Sequence, residues 1–414
     1  MAAPKIRFKK DDGSDEPAWK EHRLKDVTTR ITRKNKNNET DIPLTIASAK
    51  GLVDQRTYFG KTIASTDMSG YFLLHRGEYA YNKSYSNGYD FGAIKRLDVY
   101  DAGALSTLYI CFSLNSDEDS NFYNCYFDSL RWYNQMREIC AEGARNHGLL
   151  NVAASDFFNI LLSVPSDNEE QQKIAEFLSD VDELINASED EITKLTTLKK
   201  GMLQKMFPKQ GEKVPEIRFP GFTSDWEQRK LGELVNIGDI DHRMPRTVSK
   251  GIPYLMTGDF CGFNELNFDN VKHISEEDYE QLSRKIKPEK GDILFARYAS
   301  VGSVRYVDFT DRFLISYSCA IIKKGNKIDS KYLYHYLTSD AAQRQIKLEI
   351  NTGTQANIGI ESMKNKLQVM IPNSEEQGVI TDYLDNLDNL ITLHQQECDK
   401  YRELKKGLLQ QMFI

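Results

Sequence analysis

The sequence predicts a mixed α/β protein: two globules, each followed by a long coiled-coil helix, arranged as a tandem duplication. Three observations predict it. The decapeptide LKKGMLQKMF (Leu198–Phe207) returns as LKKGLLQQMF (Leu404–Phe413). Extended backwards, Asn168–Phe207 aligns without a gap on Ser374–Phe413, at a constant offset of 206 residues. Further back, PKIRF with Trp19 answers PEIRF with Trp226, and the interval from each Trp to Pro165 or Pro372 is the same. Self-similarity on this scale marks repeated structural units.

The blocks follow in order: an N-terminal segment (1–18), a globule (19–165), a helix (166–208), a linker (209–225), a second globule (226–372) and a second helix (373–414). Within the globules, short β-like runs alternate with turn signals. GEYAYNKSYSNGYDFGAIKRL (Gly77–Leu97) and GDILFARYASVGSVRYV (Gly291–Val307) begin alike and then diverge. DRFLISYSCAIIKKG reads as two strands around a tight bend. Asn121–Cys140 and Asp329–Ile346 read as helical. A polar loop led by glycine comes next (Gly143–Asn151, Gly353–Glu361), and a strand closing at Pro165 or Pro372 finishes each globule.

The helical blocks carry apolar residues at alternating four- and three-residue steps. Ile174, Leu178, Val181, Ile185, Ile192 and Leu195 form one seam; Ile380, Leu384, Leu387, Ile391, Cys398 and Tyr401 occupy the same slots in the other. A 3.5-residue period is that of a coiled coil. Phe177, Leu184 and Leu198, with Tyr383, Leu390 and Leu404, widen the stripe, so each helix is expected to meet its own globule or a partner as well. Acids crowd the front of the first helix and Lys199, Lys200 and Lys205 its back, as the helix dipole prefers. Gly201 and Gly407 interrupt the pattern at equivalent places; a close helix approach or a helix end would each explain them.

Composition is that of an ordinary globular protein, and no run approaches the roughly 18–20 apolar residues of a membrane span. The N-terminus lacks the apolar core of a secretory signal, and six cysteines without CxxC or zinc spacing read as reduced, mostly buried thiols. A cytoplasmic protein is expected. The net charge of −7 is uneven: Asn168–Glu191 carries −8 and Ser374–Asp399 carries −7, which leaves +8 for the rest. The acids sit on the helices and the positive remainder largely on the globules.

In the globules, basic residues mingle with amides, hydroxyls and aromatics, the groups that hold phosphates and read base edges. The candidates for DNA contact in the first are Arg33, Lys34, Asn35, Lys36 and Lys50, then Asn82, Lys83, Tyr85 and Asn87, then Arg145, Asn146 and His147. In the second they are Arg243, Arg246 and Lys250, then Arg297, Tyr298, Ser300, Ser303 and Arg305, then Thr354, Gln355 and Asn357. No phosphate loop, GxGxxG, GxSxG, methyltransferase or nuclease signature is present, and no metal cluster at ligand spacing. A binding and scaffolding role is expected, with DNA or proteins as the ligands of the globules.

PEIRFPGFTSDWEQRKLGEL (Pro215–Leu234), the IP…EEQ entry to the second helix (Ile371–Gln377) and the LKKGLLQQMF close resemble the specificity subunit of type I restriction-modification enzymes, over essentially the whole chain. The resemblance implies that each globule is a target recognition domain reading one half of a split, asymmetric double-stranded DNA sequence. It implies that the two helices pack antiparallel as a ruler, about a pseudo-twofold axis. The implied partners are DNA, two methyltransferase subunits and, in the full complex, endonuclease subunits. S-adenosylmethionine, ATP and Mg2+ would sit on those partners, with no cofactor and no catalysis on this chain. The first copy departs from the pattern, with IRFKKDDGSDEPAW where the second has the shorter IRFPGFTSDW, which leaves open whether that strip packs like its counterpart.

Overall fold

The computed structural model describes residues 3–47, 51–61, 64–86, 88–141, 150–353 and 355–414. The chain forms two compact units that cut across the sequence blocks: 1–187 with 397–414, and 188–396. The closing stretch of each long helix therefore belongs to the unit of the other copy's globule.

Among the described residues, each unit holds a four-stranded antiparallel sheet of the same order. In the first it runs Thr28–Ile31, Ile110–Leu114, Tyr79–Asn82, Ala93–Arg96; in the second, Ile237–Gly238, Cys319–Ile322, Ile293–Ala296, Val304–Tyr306. The register matches too: Tyr79 opposes Arg96 and Phe112, and Ile293 opposes Tyr306 and Ile322. Covered on both faces, the central strands are apolar without alternation, and Tyr79, Ala80, Tyr81 and Ile293–Ala296 are all buried. A glycine in the left-handed region starts each central strand, Gly77 at φ 86° and Gly291 at φ 97°.

A helix capped by an Asp covers each sheet. Asp119 accepts from the Phe122 N–H at 2.8 Å ahead of Ser120–Asp128, and Asp329 from the Tyr332 N–H at 2.7 Å ahead of Ser330–Thr338. Both helical readings break in two. Leu130, at φ 59°, separates Ser120–Asp128 from Tyr133–Ala141. Ser339 ends Ser330–Thr338 and caps Asp340–Leu348 by accepting from the Ala342 N–H at 3.3 Å. The bend in DRFLISYSCAIIKKG is present, but its strands part company. Leu314–Ile315 pairs parallel to Ile252–Leu255, while Cys319–Ile322 joins the four-stranded sheet. Last, Lys20–Arg23 pairs with Leu161–Val164, and Glu227–Lys230 with Gln368–Ile371, closing each globule beside its prolines.

The long helices are Asn168–Lys205 and Ser374–Met412, each roughly 57 Å at 1.5 Å per residue. The seam has two roles. Ile174, Leu178 and Val181 belong to the core of the first globule, with Ile185 packed against it; Ile380, Leu384 and Leu387 belong to the second, with Leu195 packed against it. Ile391 and Cys398 are buried, whereas Ile192 and Tyr401 are half-buried. Of the widening residues, Tyr383 is half-buried against the second core, while Phe177, Leu184, Leu198, Leu390 and Leu404 stay between 39% and 49% exposed.

The repeated decapeptide is the seal of each unit. Phe413 meets Trp19, Phe122 and Tyr126 at ring distances of 6.3, 5.7 and 5.8 Å. Phe207 meets Trp226, Tyr332 and Tyr336 at 6.3, 5.8 and 5.5 Å. The IRF strip packs alike in both copies. Ile6 N–H donates to Gln411 O at 3.1 Å and Ile217 N–H to Lys205 O at 2.9 Å. The next residue forks onto the start of the other helix, Arg7 on Glu170 at 2.7 and 2.9 Å and Arg218 on Glu376 at 2.6 and 2.8 Å. The four extra residues of the first copy are absorbed by a turn at Lys10–Ser14, with Gly13 at φ 84°.

A second pair of contacts gives the helix direction inside each unit. Lys405 reaches Asp182 at 2.6 and 2.8 Å, and Lys199 reaches Asp388. Moving from Glu170 to Asp182 runs up one helix while Gln411 to Lys405 runs back along the other, so the segments lie antiparallel. Gly201 and Gly407 fit neither explanation. Both helices run past them, and a Cβ would meet nothing within 4 Å at Gly201 and only Gln411 Nε2, at 4.0 Å, at Gly407.

Candidate nucleic-acid interface

In each globule some of the candidate residues stand where the central strand ends, Asn82, Lys83 and Tyr85 in the first and Arg297, Tyr298 and Ser300 in the second. In the second, Ile293–Ala296 runs into a loop that turns tightly at Ala299 (φ 57°) and Gly302 (φ 91°). Gly302 N–H donates to Ala296 O at 3.0 Å, and Ala296 N–H to Ser303 O at 2.8 Å. Tyr298 bridges to Asn357, which exchanges backbone hydrogen bonds with Asn351 at 2.8 and 3.2 Å. Tyr298, Ser300, Gln355 and Asn357 thus share one edge, with Ser300 and Gln355 exposed and Tyr298 and Asn357 half-buried. Such amides and hydroxyls can pair with base edges.

Beneath that edge lies a buried ionic hub. Asp239 is 4% exposed; it accepts from the Arg297 guanidinium, from His242 Nε2 at 2.9 Å and from Lys285 Nζ at 3.1 Å. Burial alone would push the Asp239 carboxyl up, but the hydrogen bonds from His242 and Lys285 and the charge of Arg297 hold it below the usual carboxylate range. Arg297 also donates through Nε to Ile358 O at 3.0 Å, tying the two loops together, and the His242 ring stacks on Tyr317 at 4.8 Å. The hub pre-organises the edge above it.

Three candidates are corrected by this geometry. Arg297 is spent on Asp239 and Ile358 and is buried. Arg305 is buried as well, with its five N–H donors taken by the carbonyls of Glu265, Cys261, Gly262 and Val304 and by Ser303 Oγ. Asn35 in the first globule is fully buried, its amide donating to Thr40 O and accepting from Thr40 N–H. In each case a polar side chain within a turn or strand satisfies backbone groups that burial would otherwise orphan.

The other candidates lie nearer the surface. Arg243 donates to Asp278 at 2.7 Å and to Gln281 at 3.0 Å, while Arg246 and Lys250 are exposed beside it in sequence. Ser303 is half-buried. In the first globule Arg33 pairs with Glu78 at 2.7 Å, Lys34 donates to Gly70 O and lies 4.2 Å over the Phe72 ring, and Lys36 is exposed. Asn82 ends the central strand and accepts from Ser84 N–H at 3.1 Å; Lys83 is half-buried and Tyr85 exposed. Leu150 N–H donates to Lys83 O at 2.8 Å as Ile358 N–H donates to Arg297 O at 3.1 Å. The strand-end loop and the polar loop therefore meet in both globules. Lys50, Asn87, Arg145, Asn146, His147 and Thr354 lie outside the described residues.

The sequence reading missed Asp239, His242 and Tyr317. His242 stands next to a chosen arginine, but only the tertiary fold brings it onto Asp239 and Tyr317. Tyr58 and Phe59 were also missed; both are exposed, with rings 4.9 Å apart, on the short helix Gln55–Phe59.

Comparison with known proteins agrees with this layout. The type I restriction modification DNA specificity domain matches residues 17–197 and again 223–400. The MjaVIII specificity subunit of Methanocaldococcus jannaschii, a type I restriction enzyme, is 28% identical over 274 residues, a match that spans 63% of either chain's length. A protein named as the putative MjaX specificity subunit from the same organism is 24% identical across 97% of this chain and 94% of its own. Two solved structures share the fold. One is the S subunit of a type I restriction-modification system from M. genitalium, with TM-score 0.59, 15% identity, and 100% and 99% of the two chains covered. The other was solved in work on complex assembly and conformational transition of the type I R-M system, with TM-score 0.56, 19% identity, and 96% and 98% covered. The paired frames, the strand-end loops they carry and these matches lead to one conclusion: the chain belongs to the type I restriction modification DNA specificity family and carries two copies of its domain.

Proposed function

We propose that this chain is the sequence reader of a type I restriction-modification assembly, with each globule reading one half of a split, asymmetric DNA target. The observation that carries the reading is one frame with two different edges. Sheet order, register, capping and the Trp–Phe seal repeat, while the loops at the ends of Tyr79–Asn82 and Ile293–Ala296 do not.

The long helices supply the spacing and the docking surface for partners. Leu184 and Leu390, and Leu198 and Leu404, are exposed at equivalent positions, so equivalent surfaces are offered to two copies of one methyltransferase subunit. The endonuclease subunits would join through these. The chemistry, with S-adenosylmethionine, ATP and Mg2+, belongs to the partners, and the assembly works in the cytoplasm. No described helix is long and apolar enough to cross a membrane.

The test is genome-wide adenine methylation in cells expressing the chain with its methyltransferase, against cells lacking only the chain. A split motif that depends on the chain supports the reading. A stable complex that adds no motif would favour a protein scaffold instead. Inserting four residues in both helices, about 6 Å, should lengthen the spacer by one or two base pairs at roughly 3.4 Å each; an unchanged spacer refutes the ruler.

A further inference from the structure

The duplication allows the two globules to be compared position by position, and one cluster of charges differs between them. In the first globule Lys95, on the outer strand of the sheet opposite Ala80, pairs with Asp128 at 2.6 Å. Asp128 is the last residue of the capped helix Ser120–Asp128, and it also acts on Lys405, which is bound to Asp182. Two cations face two carboxylates, and the cluster is neutral.

The matching place in the second globule is built from Arg305, which opposes Leu294, and from Thr338, the last residue of Ser330–Thr338. The correspondence of Asp128 with Thr338 rests on their neighbours. Asp119 and Asp329 cap the two helices, Phe122 and Tyr332 meet the sealing Phe, and the hydroxyls of Ser129 and Ser339 donate to Tyr126 O and Tyr336 O, both at 2.6 Å. Here the carboxylate is gone. Lys199 retains Asp388, and Asp385 is engaged by Lys331 and His335. Among the described residues no carboxylate forms an ion pair with Arg305. Only neutral oxygens bond its guanidinium; burial pulls its pKa below the ordinary value, while Tyr334, Cys261 and Glu265 act on it in the opposite sense.

A buried cation without a counterion is expensive, and this one borders a cavity. Arg305, Thr338, Ser300, Ser303, Gln343 and Phe263 line about 540 Å³ of open space. Ser303 Oγ accepts from Arg305 Nη1 at 3.2 Å, so its own proton is free to donate elsewhere. Thr338 donates to His335 O at 2.7 Å, and Ser300 is exposed at the rim. Ala299 and Ala356, the sequence neighbours of Tyr298 and Asn357, also line it, which ties the cavity to the edge already described.

We propose that this cavity is a phosphate site of the second globule, built on a charge pattern that the described residues of the first do not repeat, and that the phosphate is one of the DNA backbone. The proposal rests on the DNA-reading function. Arg305 supplies the compensating charge from beneath, and the serine hydroxyls supply the hydrogen bonds. A phosphate contact carries no sequence information but fixes register, so the site would anchor the second globule on its half of the DNA.

The experiment uses the chain in complex with its methyltransferase subunits and DNA bearing the methylated motif. The variant is Thr338→Asp, which restores the carboxylate the chain itself tolerates at Asp128; Thr338→Asn has the same shape without the charge. The expected result for T338D is a slope of log affinity against log salt that is shallower by about one. Affinity at low salt should be about tenfold weaker, with the methylated motif unchanged and T338N like the parent. An unchanged slope in T338D, or an equal loss in T338N, overturns the site. So does stabilisation of the parent but not T338D by inorganic phosphate alongside an unchanged DNA slope, which would assign the cavity to free phosphate. A parent complex with no sequence-specific DNA binding would instead overturn the underlying function.

Discussion

Replacing Phe413 by Ala should strongly destabilise one unit and spare the other. The ring is 1% exposed, and it touches Trp19, Phe122 and Tyr126 at 5.7 to 6.3 Å. Burial of roughly 150–200 Å² at about 25 cal/mol per Å² gives about 4–5 kcal/mol. Core Phe→Ala substitutions cost about 3–5 kcal/mol. Domain stabilities are about 5–15 kcal/mol, so the first unit should lose a large part of its margin. Hydrogen exchange read by mass spectrometry is the assay. F413A should lose protection in Ser120–Asp128 and Tyr79–Asn82 while Ser330–Thr338 and Ile293–Ala296 keep theirs. Phe207→Ala should give the mirror pattern. Leu404→Ala, at a 49% exposed position in the same decapeptide, should change stability by less than about 0.5 kcal/mol. Equal loss in both globules from F413A alone, or none in either, would refute the sealing role.

Three further outcomes follow from the same geometry. Gly201→Ala and Gly407→Ala should each stabilise by up to about 1 kcal/mol, since the space for a Cβ is open, and thermal melting checks it. Asp239→Asn should destabilise the second globule at neutral pH, and chemical denaturation across pH should show the gap from the parent closing in acid. The folded Asp239 carboxyl lies below its ordinary 3.8, so its contribution is full above that value and is lost as pH falls through the folded one. Arg246→Ala and Lys250→Ala should weaken DNA binding alike for all sequences and lower the salt slope by about one each, measured by titration at several salt concentrations.

How much of this was legible beforehand can be seen at particular residues. The repeat and the two helices were legible because the apolar period and the duplicated LKKG close are local in sequence. The closing strands at Pro165 and Pro372 were legible from their apolar runs and prolines. The break at Leu130 was not, because a left-handed Leu carries no turn signature. Arg297 and Arg305 read as surface cations because composition cannot tell a solvated guanidinium from one spent on Asp239 or on the carbonyls of Cys261 and Gly262.

The sequence by itself determined that the protein is one frame used twice, with acidic helices and divergent loops, since periodicity and self-similarity are properties of the chain alone. Only the tertiary structure decided where each decapeptide is buried. Phe207 and Phe413 each seal a globule that lies far away or on the other copy in the alignment, because a Trp, a capped helix and an arginine strip there leave an apolar slot. The structure alone also decided which cations face solvent, because burial and ion pairing depend on neighbours that are distant in sequence.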